Sequence, residues 1–351
     1  MKRIISITFC FASSIIPSAA KMQSVHSSSF SLSKAFTLLG RSRAGDGTTF
    51  VIPELRWMFD CGALVEGGGL RQPRIIWMTH THSDHVFTLA HFTHRRELEG
   101  QNNGQPMQVY LPSEAVPFVD SYLKSYAEMV AMEKQNVDNP PKPLYELIGV
   151  NPNQEISVHH GGKEFLVRVV ECVHRVDCVG YSIFERRRKL KDEYVGMQGR
   201  EVGQLKKQGV NIYTESFHPL ACYLGDTTAQ VFCKHPEILQ QHSVVVVECS
   251  FLDEASQDNA VKTMHMHWKD LKPLVEAHPE TLFVLTHFSL KYSVSHLRDF
   301  FNGQTTNNLH PMIIEQELQE EWNARKLKQT SIMNTAPNPP GCRCFVCKSA
   351  T

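Results

Sequence analysis

Charge of a prevailing sign is missing: 36 Lys and Arg stand against 36 Asp and Glu, for a formal net charge of zero. That excludes a globally cationic surface as the source of nucleic-acid binding. No apolar run of about 18 residues follows the N-terminal stretch, so the globular part offers no candidate membrane helix. No internal repeat is present either, which excludes solenoids and propellers. What remains is 351 residues with 42% hydrophobic content, enough for one large core plus tails.

Short apolar runs alternate with helical stretches at 113–132, 268–277 and 311–325. That alternation predicts a layered α/β domain, placed at 35–328. Segment 138–143, rich in Asn and Pro, is expected to be a loop inside it. Ahead of the domain, Lys2-Arg3, an apolar 4–16 stretch and Pro17-Ser18-Ala19-Ala20 have the three parts of a secretory signal. An organelle transit leader, or a start at Met22, remains open, and 1–34 is assigned to this leader. Cys61, Cys172, Cys178, Cys222, Cys233 and Cys249 lie in or beside apolar runs and read as small reduced hydrophobes. That usage favours the cytosol or an organellar matrix over secretion. Behind the domain, the 329–351 tail carries Cys342, Cys344 and Cys347, three thiols without a fourth ligand nearby.

The densest chemistry is His80-Thr81-His82-Ser83-Asp84-His85, directly after the apolar run Ile75-Ile76-Trp77-Met78. No packing requirement asks for three imidazoles and a carboxylate in six residues, although a His-rich surface turn is the bland alternative. These donors suit borderline divalent ions such as Zn²⁺. Three later apolar runs each end on a further donor: one leads to His174, one to Gly225-Asp226-Thr227, and one to His287. Singly, each would be an ordinary polar strand end, but their shared placement puts all seven on one rim. His80, His82 and His174 would hold one ion, and Asp84, His85 and His287 the other, with Asp226 bridging. Two ions ~3.5–4 Å apart lower the pKa of a shared water toward ~7, which is hydrolytic chemistry. His91, His94, His159 and His160 lack that placement and read as surface or outlying residues.

The order His-x-His-x-Asp-His, then His, Asp and His resembles the metallo-β-lactamase superfamily, over His80 to Tyr292. The resemblance implies a four-layer αβ/βα sandwich with two zinc ions, or manganese or another divalent metal in their place. Within it the chain looks most like ribonuclease Z, which trims tRNA 3′ ends. Asp60-Cys61-Gly62, Gly180-Tyr181, the strand ending at Glu248, and His287-Phe288-Ser289-Leu290-Lys291-Tyr292 support that narrower likeness. It implies that Glu248 acts with a histidine near the scissile phosphate, here His265 with His267 as second choice. A carboxylate-held His can protonate a leaving alkoxide. Asp84, a ligand, is also the best-placed carboxylate to take a proton from the water. Ser289, Lys291 and Tyr292 are expected to meet substrate.

The likeness is divergent. The family's opening Pro-Thr and Arg-Asn pairs are replaced at 39–55, which puts the tRNA-end contacts in doubt. Only 184–220 is available for the family's protruding arm, so a short arm or none is expected, with 202–209 resembling its outgoing strand. From Arg186 to Lys207 eight basic residues face three acidic ones. Arg186, Arg187, Lys206 and Lys207 are therefore candidates to steer a phosphate backbone beside the metal rim, against the plainer reading of a solvated face. Three functions compete: a zinc phosphodiesterase acting on precursor tRNA, a hydrolase of a small thioester, lactone or cyclic nucleotide, and a metal scaffold without catalysis. The family is often dimeric, so a homodimer is a further expectation.

Overall fold

Val244-Val245-Val246-Val247 is buried along its whole length because it lies between two apolar layers. Side chains alternate across a strand, and Val244 and Val246 enter one core cluster while Val245 and Val247 enter another. Ile75 and Trp77 likewise face the first cluster, whereas Ile76 and Met78 face a third. A computed structural model describes residues 28–64, 73–98, 106–130 and 144–313.

Among the described residues fifteen strands build two sheets. In chain order β1 (Ser28–Ser31), β2 (Thr37–Ala44), β3 (Gly47–Ile52), β4 (Trp57–Phe59), β5 (Ile75–Trp77), β6 (Met107–Pro112) and β7 (Tyr145–Val150) lie side by side in the first. The second holds β8 (Glu155–His160), β9 (Lys163–Glu171), β10 (Val179–Leu190), β11 (Tyr213–Tyr223), β12 (Val244–Glu248) and β13 (Leu282–Thr286). The two-residue β14 (Phe288–Ser289) crosses to pair with β2, and β15 (Leu309–Pro311) closes the second sheet beside β13. Strands β4 to β7 run parallel, as do β11, β12, β13 and β15, so their C-terminal ends share one rim.

Between the sheets Trp57 packs on Trp77 and Phe165, and Trp77 stacks on Tyr110 with centroids 4.4 Å apart. Such ring pairs add about 0.5–1.5 kcal/mol each beyond burial. Outside the first sheet lie α1 (Ser83–Val86), α2 (Leu89–Leu98) and α3 (Val116–Val130), with Leu89, Phe92, Val119 and Leu123 in its outer core. Helix α4 (Gly199–Lys207) interrupts the β10–β11 hairpin. The second sheet's outer core is covered by α5 (Gln230–Lys234), α6 (Glu237–Gln241), α8 (Trp268–Ala277) and α9 (Val294–Asn302), with α7 (Gln257–Thr263) leading into α8. The layers run helix, sheet, sheet, helix: the αβ/βα sandwich. Among the described residues no helix is long and apolar enough to cross a membrane.

Several expectations need correction. Residues 28–31, assigned to the leader, form β1, with Ser28 opposite Gly40 and Ser31 opposite Thr37; backbone pairing is indifferent to their polar side chains. Segment 202–209 is helical, since Gln198 and Glu201 close a capping box at the start of α4. Leu309–Pro311 is a strand and 312–313 are irregular where a helix over 311–325 was expected, and 314–325 lie outside the described residues. Cys233 is exposed on α5, while Cys61, Cys172, Cys178, Cys222 and Cys249 are buried. The Cys-containing tail, the 138–143 loop and residues 1–27 also lie outside the described residues.

Candidate metal centre

Strand β5 delivers its rim end to His80, and the chain turns at once into α1, which carries Asp84 and His85. From the second sheet, the turn after β9 brings His174, the turn after β11 brings Asp226, and β13 ends at His287. The donor atoms of His80, His82, His174 and Asp226 all lie within 4.8 Å of one another, as do those of Asp84, His85 and His287. Asp226 stands between the two groups, 3.6 Å from His80 Nε2, 3.4 Å from His85 Nε2 and 3.5 Å from His287 Nε2.

Hydrogen bonding outside this cage fixes how each ring points. His174 Nδ1 donates to the Met264 carbonyl at 3.0 Å, and His85 Nδ1 to the Asp60 carboxylate at 3.0 Å. His287 Nδ1 donates to Ser250 Oγ at 3.0 Å, whose own proton goes to Glu248 at 2.6 Å. His80 Nδ1 donates to Thr79 Oγ1, whose proton goes to Asp60. Each of these four rings therefore turns a bare Nε2 lone pair inward. His80 Nε2 faces His82 Nδ1 at 3.1 Å, and His85 Nε2 faces His287 Nε2 at 3.2 Å. Lone pairs at that separation repel unless a cation sits between them. Tetrahedral zinc with ~2.0–2.1 Å Zn–N bonds spaces its ligands about 3.3 Å apart. The donor set fits divalent metal.

The electrostatics reflect how tightly rings and carboxylates are packed: Asp226 and Asp60 push His85 well above an ordinary imidazole, against its burial. Burial raises the Asp226 pKa, yet His287, His85 and His80 around it hold it well below the usual carboxylate range. Asp84 is lowered against its own burial by His287, His85 and the Gly45 N–H. Burial and the neighbouring rings push His80 well below an ordinary imidazole.

Beside the cage, Glu248 is buried at the end of β12. It accepts from Thr227 N at 2.7 Å, Ser250 Oγ at 2.6 Å and His265 Nδ1 at 2.8 Å. His265 Nδ1 lies 3.7 Å from Asp226. Burial works against charging His265, but Glu248 and Asp226 prevail and lift its pKa to about 9. His267, the second choice, points elsewhere: its Nε2 donates to the Asp253 carbonyl and its Nδ1 caps α8 at Lys269 N.

Three of the five described non-glycine residues with positive φ cluster here: Asp60, Met264 and His287. Each costs about 1–3 kcal/mol, a strain characteristic of functional sites. Asp60 went unassigned in the sequence. It is fully buried, orients His85, accepts Thr79 N and Oγ1, and anchors the strand end. The divergent opening also serves the centre, since Gly45 N donates to Asp84 Oδ2 at 2.6 Å and Arg43 donates to the carbonyls of Phe288, Ser289 and Tyr292. Exposed Arg175 directly follows the candidate ligand His174, so a cation adjoins the rim.

The predicted substrate contacts fare less well. Tyr292 is buried, with its hydroxyl donating to Asp253 and accepting from Leu252 N, so it is structural. Lys291 pairs with Asp253 at 2.7 Å and touches Ser256; half-buried Ser289 lies at the rim two residues past His287. The basic stretch is not beside the rim. Strand β10 leaves the rim at Val179, and Arg186, seven residues on, lies about 23 Å away at ~3.3 Å per residue. There Arg186 pairs with Glu164 and Glu215, Arg187 with Glu185, and Arg188 with Glu215. Residues 187–190 pair only with β11, forming a short ribbon tipped by α4 with exposed Lys206 and Lys207.

No family model matches the chain. Among curated proteins, the chloroplastic tRNase Z TRZ2 of Arabidopsis thaliana is 26% identical over 269 residues, 76% of this chain and 71% of that one. The tRNase Z TRZ1 of the same plant is 25% identical over 268 residues, 76% of this chain and 90% of that one. The metallo-β-lactamase fold protein YhfI of Bacillus subtilis aligns with a TM-score of 0.49 at 13% identity, over 79% of this chain and 95% of its own. In its layered αβ/βα architecture the chain has a metallo-β-lactamase-type fold, and in sequence it is similar to tRNase Z proteins.

Proposed function

We propose that the chain is a metal-dependent phosphodiesterase that removes 3′ trailers from tRNA precursors. His80, His82, His174 and Asp226 would hold one zinc ion, and Asp84, His85, His287 and Asp226 the other. Such ions supply Lewis acidity and an ionised water at neutral pH. The chain's own residues do the rest. Asp84 stays a carboxylate, fixed by Gly45 N–H, and can receive the proton that the attacking water gives up. His265 keeps its Nδ1 proton on Glu248 and, charged at neutral pH, presents Nε2–H to the departing oxygen. Exposed Arg175, next to His174, would offer its guanidinium to an approaching phosphate.

The observation that carries this reading is the Glu248–His265 pair, 2.8 Å apart, set beside Asp226 at the border of the cage. The names of the tRNase Z relatives support RNA as the substrate and tRNA ends as the position of the cut. A transit-type leader upstream of Ser28 is compatible with the chloroplastic relative. The zinc-loaded protein is expected to cleave a 3′-extended tRNA precursor, and His265→Ala to lose at least about 100-fold in rate, as loss of general acid catalysis does. Unimpaired cleavage by His265→Ala would remove His265 from the chemistry.

A further inference from the structure

Large exposed aromatics gather beside the metal-ligand turn. Phe87 follows His85 by two residues and is 72% exposed. Helix α3 begins just beyond the rim end of β6, and its first turns carry Phe118, 75% exposed, and Tyr122, 37% exposed. Residues four apart share a helix face, so Phe118 and Tyr122 stand in one row, next to the buried Val119 and Leu123. Tyr122 Oη donates to the Phe87 carbonyl at 3.1 Å, which ties this row to the turn that bears Asp84 and His85.

We propose that Phe87, Phe118 and Tyr122 form a stacking platform for unpaired nucleobases of the RNA whose backbone enters the metal centre. This rests on the phosphodiesterase reading above. Three features favour bases as the occupant. The patch is aromatic at its centre, and every base has a π-face to offer such rings. It adjoins the turn that carries two candidate ligands. The acidic Asp120 beside it on α3 is also paired, with Lys124 at 2.6 Å. Nucleic acid would thus be held on an aromatic surface, with exposed Arg175 next to His174 at the metal centre. A protein of zero net charge can bind RNA in this way without a broad cationic field.

The test uses the full-length zinc-loaded protein, the double variant Phe87→Leu/Phe118→Leu, and the double alanine variant. The leucines keep apolar surface and remove the rings. A single-stranded RNA containing 2-aminopurine reports stacking by loss of fluorescence. KM and kcat for a 3′-extended precursor report productive binding, light scattering reports oligomeric state, and thermal unfolding checks the fold of each variant. Both doubles are expected to lose the quench and to raise KM about 10-fold or more, with kcat much less affected. A wild-type quench and KM in the leucine double would overturn the platform and leave the phosphodiesterase reading standing. A change from dimer to monomer with unchanged RNA affinity would also overturn it, by assigning the patch to a second copy of the chain. Quenching by a wild-type protein that cleaves no RNA would overturn the phosphodiesterase reading alone.

Discussion

The closest backbone approach in the centre is at Gly62, and replacing it with alanine should dismantle the ligand turn from behind. A Cβ at Gly62 would lie 1.6 Å from the carbonyl oxygen of Asp84, 2.2 Å from its carbonyl carbon and 2.8 Å from His85 N. Real Cβ contacts do not fall below 3.0 Å, so strand end and turn must part by about 1.4 Å. The obstruction is backbone, so no side chain can swing aside. Two backbone hydrogen bonds span the gap, Cys61 N to His85 O at 2.6 Å and Thr88 N to Cys61 O at 2.7 Å. Losing them at about 0.5–1.5 kcal/mol each, with about 1–3 kcal/mol for overpacking, gives roughly 2–6 kcal/mol of destabilisation. The same displacement carries Asp84 and His85 well past the ±0.2 Å tolerance of metal ligation. We expect Gly62→Ala to bind zinc at least about 100-fold more weakly in competition with a chelator, and to melt well below wild type. Gly203→Ala, in α4 with nothing within 4 Å of its new methyl, is the control and should stabilise by up to about 1 kcal/mol. A Gly62→Ala protein with wild-type zinc affinity and melting temperature would refute this account of the ligand turn.

Asp60→Asn should cost about 10–100-fold in zinc affinity, because the amide cannot both accept from Thr79 and hold His85 by its Nδ1 proton; unchanged affinity in a chelator titration would deny Asp60 that role. Buried His242, hydrogen-bonded to Ser182 at 2.6 Å, has its pKa pulled down from 6.5 to about 4 by burial and by Arg168. Being depressed in the fold, it contributes stability fully above pH 6.5 and loses it as pH falls from there toward 4. Between pH 7.5 and 5 this amounts to ~2 kcal/mol, so urea unfolding of His242→Gln should show a correspondingly shallower loss than wild type. Parallel slopes for the two proteins would count against it.

The candidate ligands were legible because four donors fall within six residues and the other three end apolar runs, a pattern that strand geometry converts into a rim. The layered fold followed from the same runs. What stayed hidden depends on direction and register. Arg186 is close to His174 in sequence, but β10 carries it away from the rim, into the reach of Glu164 and Glu215 from neighbouring strands. Asp60 resembles any polar residue after a strand; only its left-handed bend under His85 reveals its purpose. Helix α4 opens on Gln198, a residue type outside the favoured N-caps, so its start carried little signal. Tyr292 followed a last-ligand segment and invited a substrate role, whereas its hydroxyl ties Leu252 to Asp253.

The pairing of Ser28–Ser31 with β2 sets a limit on maturation. A cut anywhere upstream of Ser28 spares this edge, whereas one past Ser31 strips β2 of its outer neighbour. The bared strand would offer its free amides and carbonyls to any passing chain, so an over-trimmed product would be sticky even with its metal ligands intact.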